Sequence, residues 1–150
     1  MKHTHREAVE GAIAVAVAAA LAASGRGQAP LAAVESLGRV AEYVPEGVIR
    51  SGIDAAARVD PATPSWKAAD VLGYGQRICC SDTVPFALWT AAVHLDDYEE
   101  ALCATAAGLG DVDTTCAIAV GIVAARTGIG AAPRSWLESR EPLPAWTDSL

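Results

Sequence analysis

Apolar residues recur along this chain at three- and four-residue spacing, and no segment alternates with period two for long. That pattern predicts an all-α fold, helices joined by short loops, with no internal repeat. The first helix is expected from about His5 to Ala23, apolar nearly all round from Gly11 onward, ending at the linker Ser24-Gly25-Arg26-Gly27. Pro30 suits the first turn of a second helix, with Leu31, Val34, Leu37 and Val40 on one face until Val44-Pro45. A third amphipathic piece spans Pro45 to Val59 and stops at Asp60-Pro61-Ala62-Thr63-Pro64. Trp66 to Leu72 adds two turns, closed by Gly73-Tyr74-Gly75. After a loop from Gly73 to Asp82, Thr83 to Leu95 reads as a buried helix containing Phe86, Leu88 and Trp89. Asp96, with Glu99 three residues later, caps the next helix, which ends near Gly108. Pro133 opens a last turn through Trp136, and residues 139–150 form an irregular surface tail with Pro142 and Pro144.

The stretch from Gly108 to Gly128 breaks the pattern in one respect. Its body, through Ala117, Ile118, Val120, Ile122, Val123 and Ala124, is core, and Arg126 and Gly128 close it as a normal helix stop. Its start carries Asp111, Asp113, Thr114 and Thr115, although capping needs only one such side chain. The tip is more acidic than a core helix requires.

At 150 residues the chain fits one domain with a real core. Hydrophobic residues make up 52% but aromatics only 5%, so alanine supplies most of the apolar count and favours close-packed helices. The net charge of −7, with no basic run, argues against nucleic acid. Cys79, Cys80, Cys103 and Cys116 show no zinc-like spacing, so reduced thiols in a cytoplasmic protein are expected. Lys2 and Arg6 before the first apolar run resemble a signal peptide, but Glu7 and Glu10 stand where such a signal has no acids. The run is also too short to span a bilayer, and no membrane partner is expected. Thr4 and Glu7 instead form a capping box, which predicts a buried helix packed on every side.

Three readings of the acidic tip compete with a plain cap. An EF-hand is excluded, because its glycine and its final glutamate are missing. The string Asp111-Val112-Asp113-Thr114-Thr115 fits the nucleophile loop of haloacid dehalogenase phosphatases, but that loop follows a buried strand and this one follows a helix. The remaining reading is a hard divalent cation, Mg²⁺ or Mn²⁺, held by two carboxylates and a hydroxyl. A helix N-terminus repels a bare cation, so more than one carboxylate is needed to reverse the local field.

Gly110-Asp111-Val112-Asp113-Thr114, then Ala117-Ile118-Ala119, Gly121, Gly128, Pro133 and Trp136, resembles the ADP-ribosylglycohydrolase family. The dinitrogenase reductase-activating glycohydrolases are the similar subtype. His3-Thr4-His5-Arg6-Glu7-Ala8 with Gly11-Ala12, Leu72-Gly73-Tyr74-Gly75, Asp82-Thr83-Val84-Pro85-Phe86 and Asp96 to Glu100 agree in family order.

The resemblance implies a hydrolase that removes ADP-ribose from modified protein side chains or small acceptors. Asp111, Asp113 and Thr114 would be ligands of a dinuclear magnesium or manganese centre, which binds the ribose and polarises the scissile bond or a water. His3 and the loop Gly73, Tyr74, Gly75 and Gln76 would line the ADP-ribose pocket. Tyr74 stands where relatives often place a small polar residue. Family members are roughly twice this length, and their first half supplies a Thr-Asp-Asp run that this sequence lacks. The resemblance therefore implies a C-terminal half, incomplete for catalysis and expecting its other half or self-association. The alternative is a non-catalytic remnant or ADP-ribose-binding module.

Overall fold

The computed structural model describes residues 5–142 and 144. Among them it has eight α-helices: α1 (Arg6–Ser24), α2 (Ala33–Glu42), α3 (Val48–Ala56), α4 (Ser65–Leu72), α5 (Val84–Val93), α6 (Tyr98–Ala106), α7 (Val112–Thr127) and α8 (Arg134–Ser139). Short 3-10 turns, Cys80–Asp82 and Ile129–Ala131, precede α5 and follow α7. No strand occurs among the described residues, so the all-α expectation holds.

α5 is the axis of the domain. It has no charged side chain, every residue from Val84 to Ala92 is buried, and all of α1, α2, α3, α4, α6 and α7 pack against it. Its buried hydroxyl is satisfied: Thr90 donates to Ala87 O at 3.1 Å and accepts from Thr105 of α6 at 2.9 Å. Trp89 and Phe86 stack at 6.5 Å between centroids, filling volume that the alanine-rich neighbours leave. Gly108 passes directly under the Phe86 ring, where a Cβ has no room.

Four local expectations need correction. α1 is not buried on every side: Glu10, Gly11, Ala14, Ala18 and Ala22 form a single buried stripe, while Val9, Ala12, Ala16 and Ala20 face outward. The helix is also longer than the apolar run inside it; at 19 residues it is long and apolar enough to cross a membrane by length and composition alone. Its N-cap is His5 with no side-chain bond, one residue past the register of a Thr4–Glu7 box, and Thr4 lies outside the described residues. Finally, Asp97 rather than Asp96 caps α6, accepting from the Glu100 N–H at 2.9 Å.

Asp96 has another use. It pairs with Arg126, whose side chain is 7% exposed at the far end of α7. Arg126 also donates to Gly25 O at 2.7 Å and Gln28 O at 2.8 Å, so one guanidinium joins α7, the α1–α2 linker and the α5–α6 turn. A buried cation needs such partners, and that demand takes Asp96 away from the helix cap.

Candidate functional site

Asp111 occupies the N-cap of α7 outside the helical region, at φ −81 and ψ 72. Its carboxylate accepts from the Thr114 N–H at 3.3 Å, and its carbonyl accepts from the Thr115 hydroxyl at 2.9 Å. Asp111 is half-buried, whereas Asp113 and Thr114, just inside the first turn of the helix, are exposed. The tip is thus a working cap with additional oxygen donors facing out.

The loop after α4 is clamped onto this tip. The Asp111 N–H donates to Tyr74 O at 2.9 Å. At Gly75, φ is 88 and a Cβ would stand 2.5 Å from the Asp111 Cβ, so only glycine permits the approach. Gly110 meets Tyr74 backbone in the same way from the other side.

Asp82 organises the loop from within. It is 5% exposed, accepts from the Arg77 N–H at 2.8 Å and from the Arg77 guanidinium at 3.2 Å, and its carbonyl accepts from Gly75 N–H at 2.7 Å. A Cβ at Gly73 would fall 2.5 Å from the Asp82 carboxylate.

Two depressions result, one on each side of the loop. A cleft of about 430 Å³ has Asp111, Thr114 and Ile118 on one wall, with His5, Glu7 and Ala8 at the start of α1 and Ile78, Cys79 and Cys80 around it. The second, about 560 Å³, takes in Gly73, Tyr74, Gln76, Arg77 and Asp82 with residues of α3 and α4. Of the substrate-loop residues expected from sequence, Gly73, Tyr74 and Gln76 therefore line this second depression, while Tyr74 and Gly75 meet the α7 tip through backbone. Asp113 opens onto a third, shallow groove between α1 and α7, which it shares with Thr114. His3 lies outside the described residues.

The cleft is acidic. Burial pushes the Cys80 thiol above its ordinary 9.0, and Cys79 and the nearby Glu7 add to the shift. Burial does the same to Cys116 one turn inside α7, reinforced by Asp113 and Cys103. All four cysteines are free. Among the described residues no group of three or more His, Cys, Asp or Glu side chains converges closely enough to hold a metal ion. The donors at the tip are two carboxylates and a hydroxyl, the hard oxygen type that Mg²⁺ or Mn²⁺ takes, with Asp111 and Thr114 on the cleft and Asp113 on the neighbouring groove.

Sequence reasoning missed Asp82 as the loop's organiser and Ile78 and Cys79 as walls of the cleft. The signal for Asp82 was present: an acid directly before an apolar helix whose N-cap is the next residue, Thr83. For Ile78 no pattern existed, because its position follows from the turn that Asp82 imposes.

The family model described as ADP-ribosylglycohydrolase matches residues 1–150. No curated protein and no solved structure matches the chain. With the full sequence matched and the Gly-Asp-x-Asp-Thr tip and its glycine loop folded against each other, the chain belongs to the ADP-ribosylglycohydrolase family.

Proposed function

We propose that the cleft at the α7 tip holds the ribose of an ADP-ribosylated protein side chain or small acceptor, and that the tip takes part in hydrolysing the glycosidic bond. The observation that carries this reading is the convergence of Asp111 and Thr114 on one cleft, faced by the start of α1 and by residues 78–80. Asp111 is held in orientation by its own cap, and its second carboxylate oxygen has no protein hydrogen bond among the described residues. Thr114 lines the same space, and Glu7 adds a carboxylate on the facing wall. Asp113 contributes negative charge beside them. Asp111, Asp113 and Thr114 would hold a divalent cation, which when bound supplies Lewis-acid polarisation of a ribose oxygen or a water.

Two carboxylates from one helical turn leave much of an octahedral shell to water, so binding is weak and a dinuclear centre needs ligands from elsewhere. On this reading hydrolysis by the chain alone is slow or absent, and the outward apolar face of α1 receives a further segment or a second copy. The free thiols favour a reducing compartment such as the cytoplasm. The sparse acid cluster favours, as a second reading, a module that binds ADP-ribose without cleaving it.

Calorimetric titration with Mg²⁺ and Mn²⁺ tests the assignment. The chain should bind with a dissociation constant on the order of 10⁻³ M, and Asp111→Ala should abolish the heat. Identical heats for both proteins sink the metal site. Release of free ADP-ribose from arginine- and serine-linked substrates, measured alongside binding of free ADP-ribose, separates hydrolase from binding module.

A further inference from the structure

A cavity of about 190 Å³ lies between α1, α2, α5 and α7, with residues of the α1–α2 linker across one side. Leu37, Val40, Leu88 and Ile122, all buried, form apolar walls. Arg126 in the lining places the cavity at the C-terminal end of α7. That helix has 16 residues, and a rise of about 1.5 Å each puts the cavity roughly 20 Å from Asp111. It is separate from the cleft at the tip and shares no lining residue with it.

Alanine makes this space. Ala18, Ala22, Ala91 and Ala92 line it and are buried, so α1 and α5 carry methyl groups where leucines would fill it. A cavity forfeits contacts on every wall and lowers stability. Keeping one against α5, the most fully buried helix, is a cost that a bound molecule offsets.

The polar groups of the lining say what kind of molecule fits. Both of its cations are already paired, Arg126 with Asp96 and Arg39 with Glu35, so an anion finds no uncompensated positive charge there. Of its two hydroxyls, Ser24 donates to Leu21 O at 2.9 Å. The other, Ser36 of α2, is half-buried, and its hydroxyl makes no hydrogen bond among the described residues. A hydroxyl both donates and accepts, so it suits a neutral oxygen. On size, a cavity of about 150 Å³ with aliphatic and aromatic walls takes benzene. We infer that this cavity is a second ligand site, for a small uncharged molecule with an apolar body of about seven or eight non-hydrogen atoms and one hydrogen-bonding oxygen that meets Ser36.

Phenol and toluene test this as a pair that differs by hydroxyl against methyl, and benzoate adds a charge. Each is titrated into the isotope-labelled chain, Ser36→Ala and Ala92→Leu and followed by NMR, with folding checked by circular dichroism. Phenol should shift the amides of α2 and of residues 24–31 and saturate with a Kd on the order of 10⁻³ M. Toluene should bind about tenfold more weakly, and benzoate should leave those amides unmoved. Ser36→Ala should bring phenol down to the toluene level. Ala92→Leu, whose larger side chain occupies the cavity, should bind neither. Phenol binding unchanged in Ser36→Ala, or shifts that map outside these segments, overturns the inference. So do equal affinities of phenol and toluene for the parent chain, or benzoate binding as tightly as phenol. If Ala92→Leu does not fold, the Ser36→Ala titration and the shift map still decide. None of these outcomes depends on whether the tip of α7 binds ADP-ribose.

Discussion

The two ends of α7 carry charge for opposite reasons. At the C-terminal end, Arg126 is buried and its donors are taken up by Asp96, Gly25 O and Gln28 O. At the N-terminal end, Asp113 and Thr114 are exposed, and Asp111 spends one weak acceptance on the Thr114 N–H at 3.3 Å. One helix thus ends in a closed network and begins in an open one. Charge that is fully partnered inside the chain holds the fold together, and charge left facing a cleft is available to a ligand. The difference lies in the partners, since both ends suit the helix dipole equally well in sign.

The largest effect should come from breaking the closed end. Arg126→Leu removes a cation that bridges three segments, and Asp96, half-exposed, regains water when its partner goes. The expected cost is therefore about 3 kcal/mol, below that of a wholly buried pair. Urea unfolding measures it, with Mg²⁺ binding at the other end of the helix unchanged in the folded protein. A change under about 0.5 kcal/mol, the level of an ordinary surface substitution, would show that the network is ornamental.

Next in size is Gly75→Ala. The added methyl meets the Asp111 Cβ and forces the loop off the tip at a residue whose φ is 88, which should cost about 2 kcal/mol. Unlike the Arg126 variant, it should also weaken Mg²⁺ binding, because the Asp111 backbone moves. Full cation affinity in a destabilised Gly75→Ala would separate loop from tip and weaken the picture of one site.

The smallest effect sharpens the comparison by titration. Cys80 and Cys116 both have thiol pKa values raised in the folded state. The folded chain therefore binds more protons than the unfolded one at alkaline pH. Their contribution is fully present below the ordinary value of 9.0 and is lost as pH rises through the raised ones. Stability should fall above about pH 9, and Cys116→Ala should flatten part of that fall. Asp113→Asn should shift the Cys116 part to lower pH, since Asp113 helps to hold the thiol protonated. An alkaline limb identical in all three proteins would rule out the tip as its source.

What was legible in the sequence tracks how local the cause was. The α7 tip was readable, since the cap, the surplus acids and the apolar body all lie within one helix. α5 was readable too, because an uncharged run with Phe86 and Trp89 has nowhere to go but the centre. Asp96 was misread because its partner, Arg126, is 30 positions away, and local spacing favours a cap that Asp97 in fact makes. α1 was misread because apolar composition does not say how many neighbours a helix obtains. The division of the loop into two depressions depends on Asp82 and on two glycine contacts across the fold, which no periodicity encodes.

The backbone seam between Tyr74, Gly75, Gly110 and Asp111 has a mechanical consequence. With the Asp111 N–H on Tyr74 O and no space for a Cβ on either side, loop and helix start form a single plate. The loop cannot swing open as a flap without breaking the Asp111–Tyr74 bond at the residue that caps α7. Amide hydrogen exchange at Asp111 would then report the lifting of the loop, and exchange at Thr114 the uncapping of the helix.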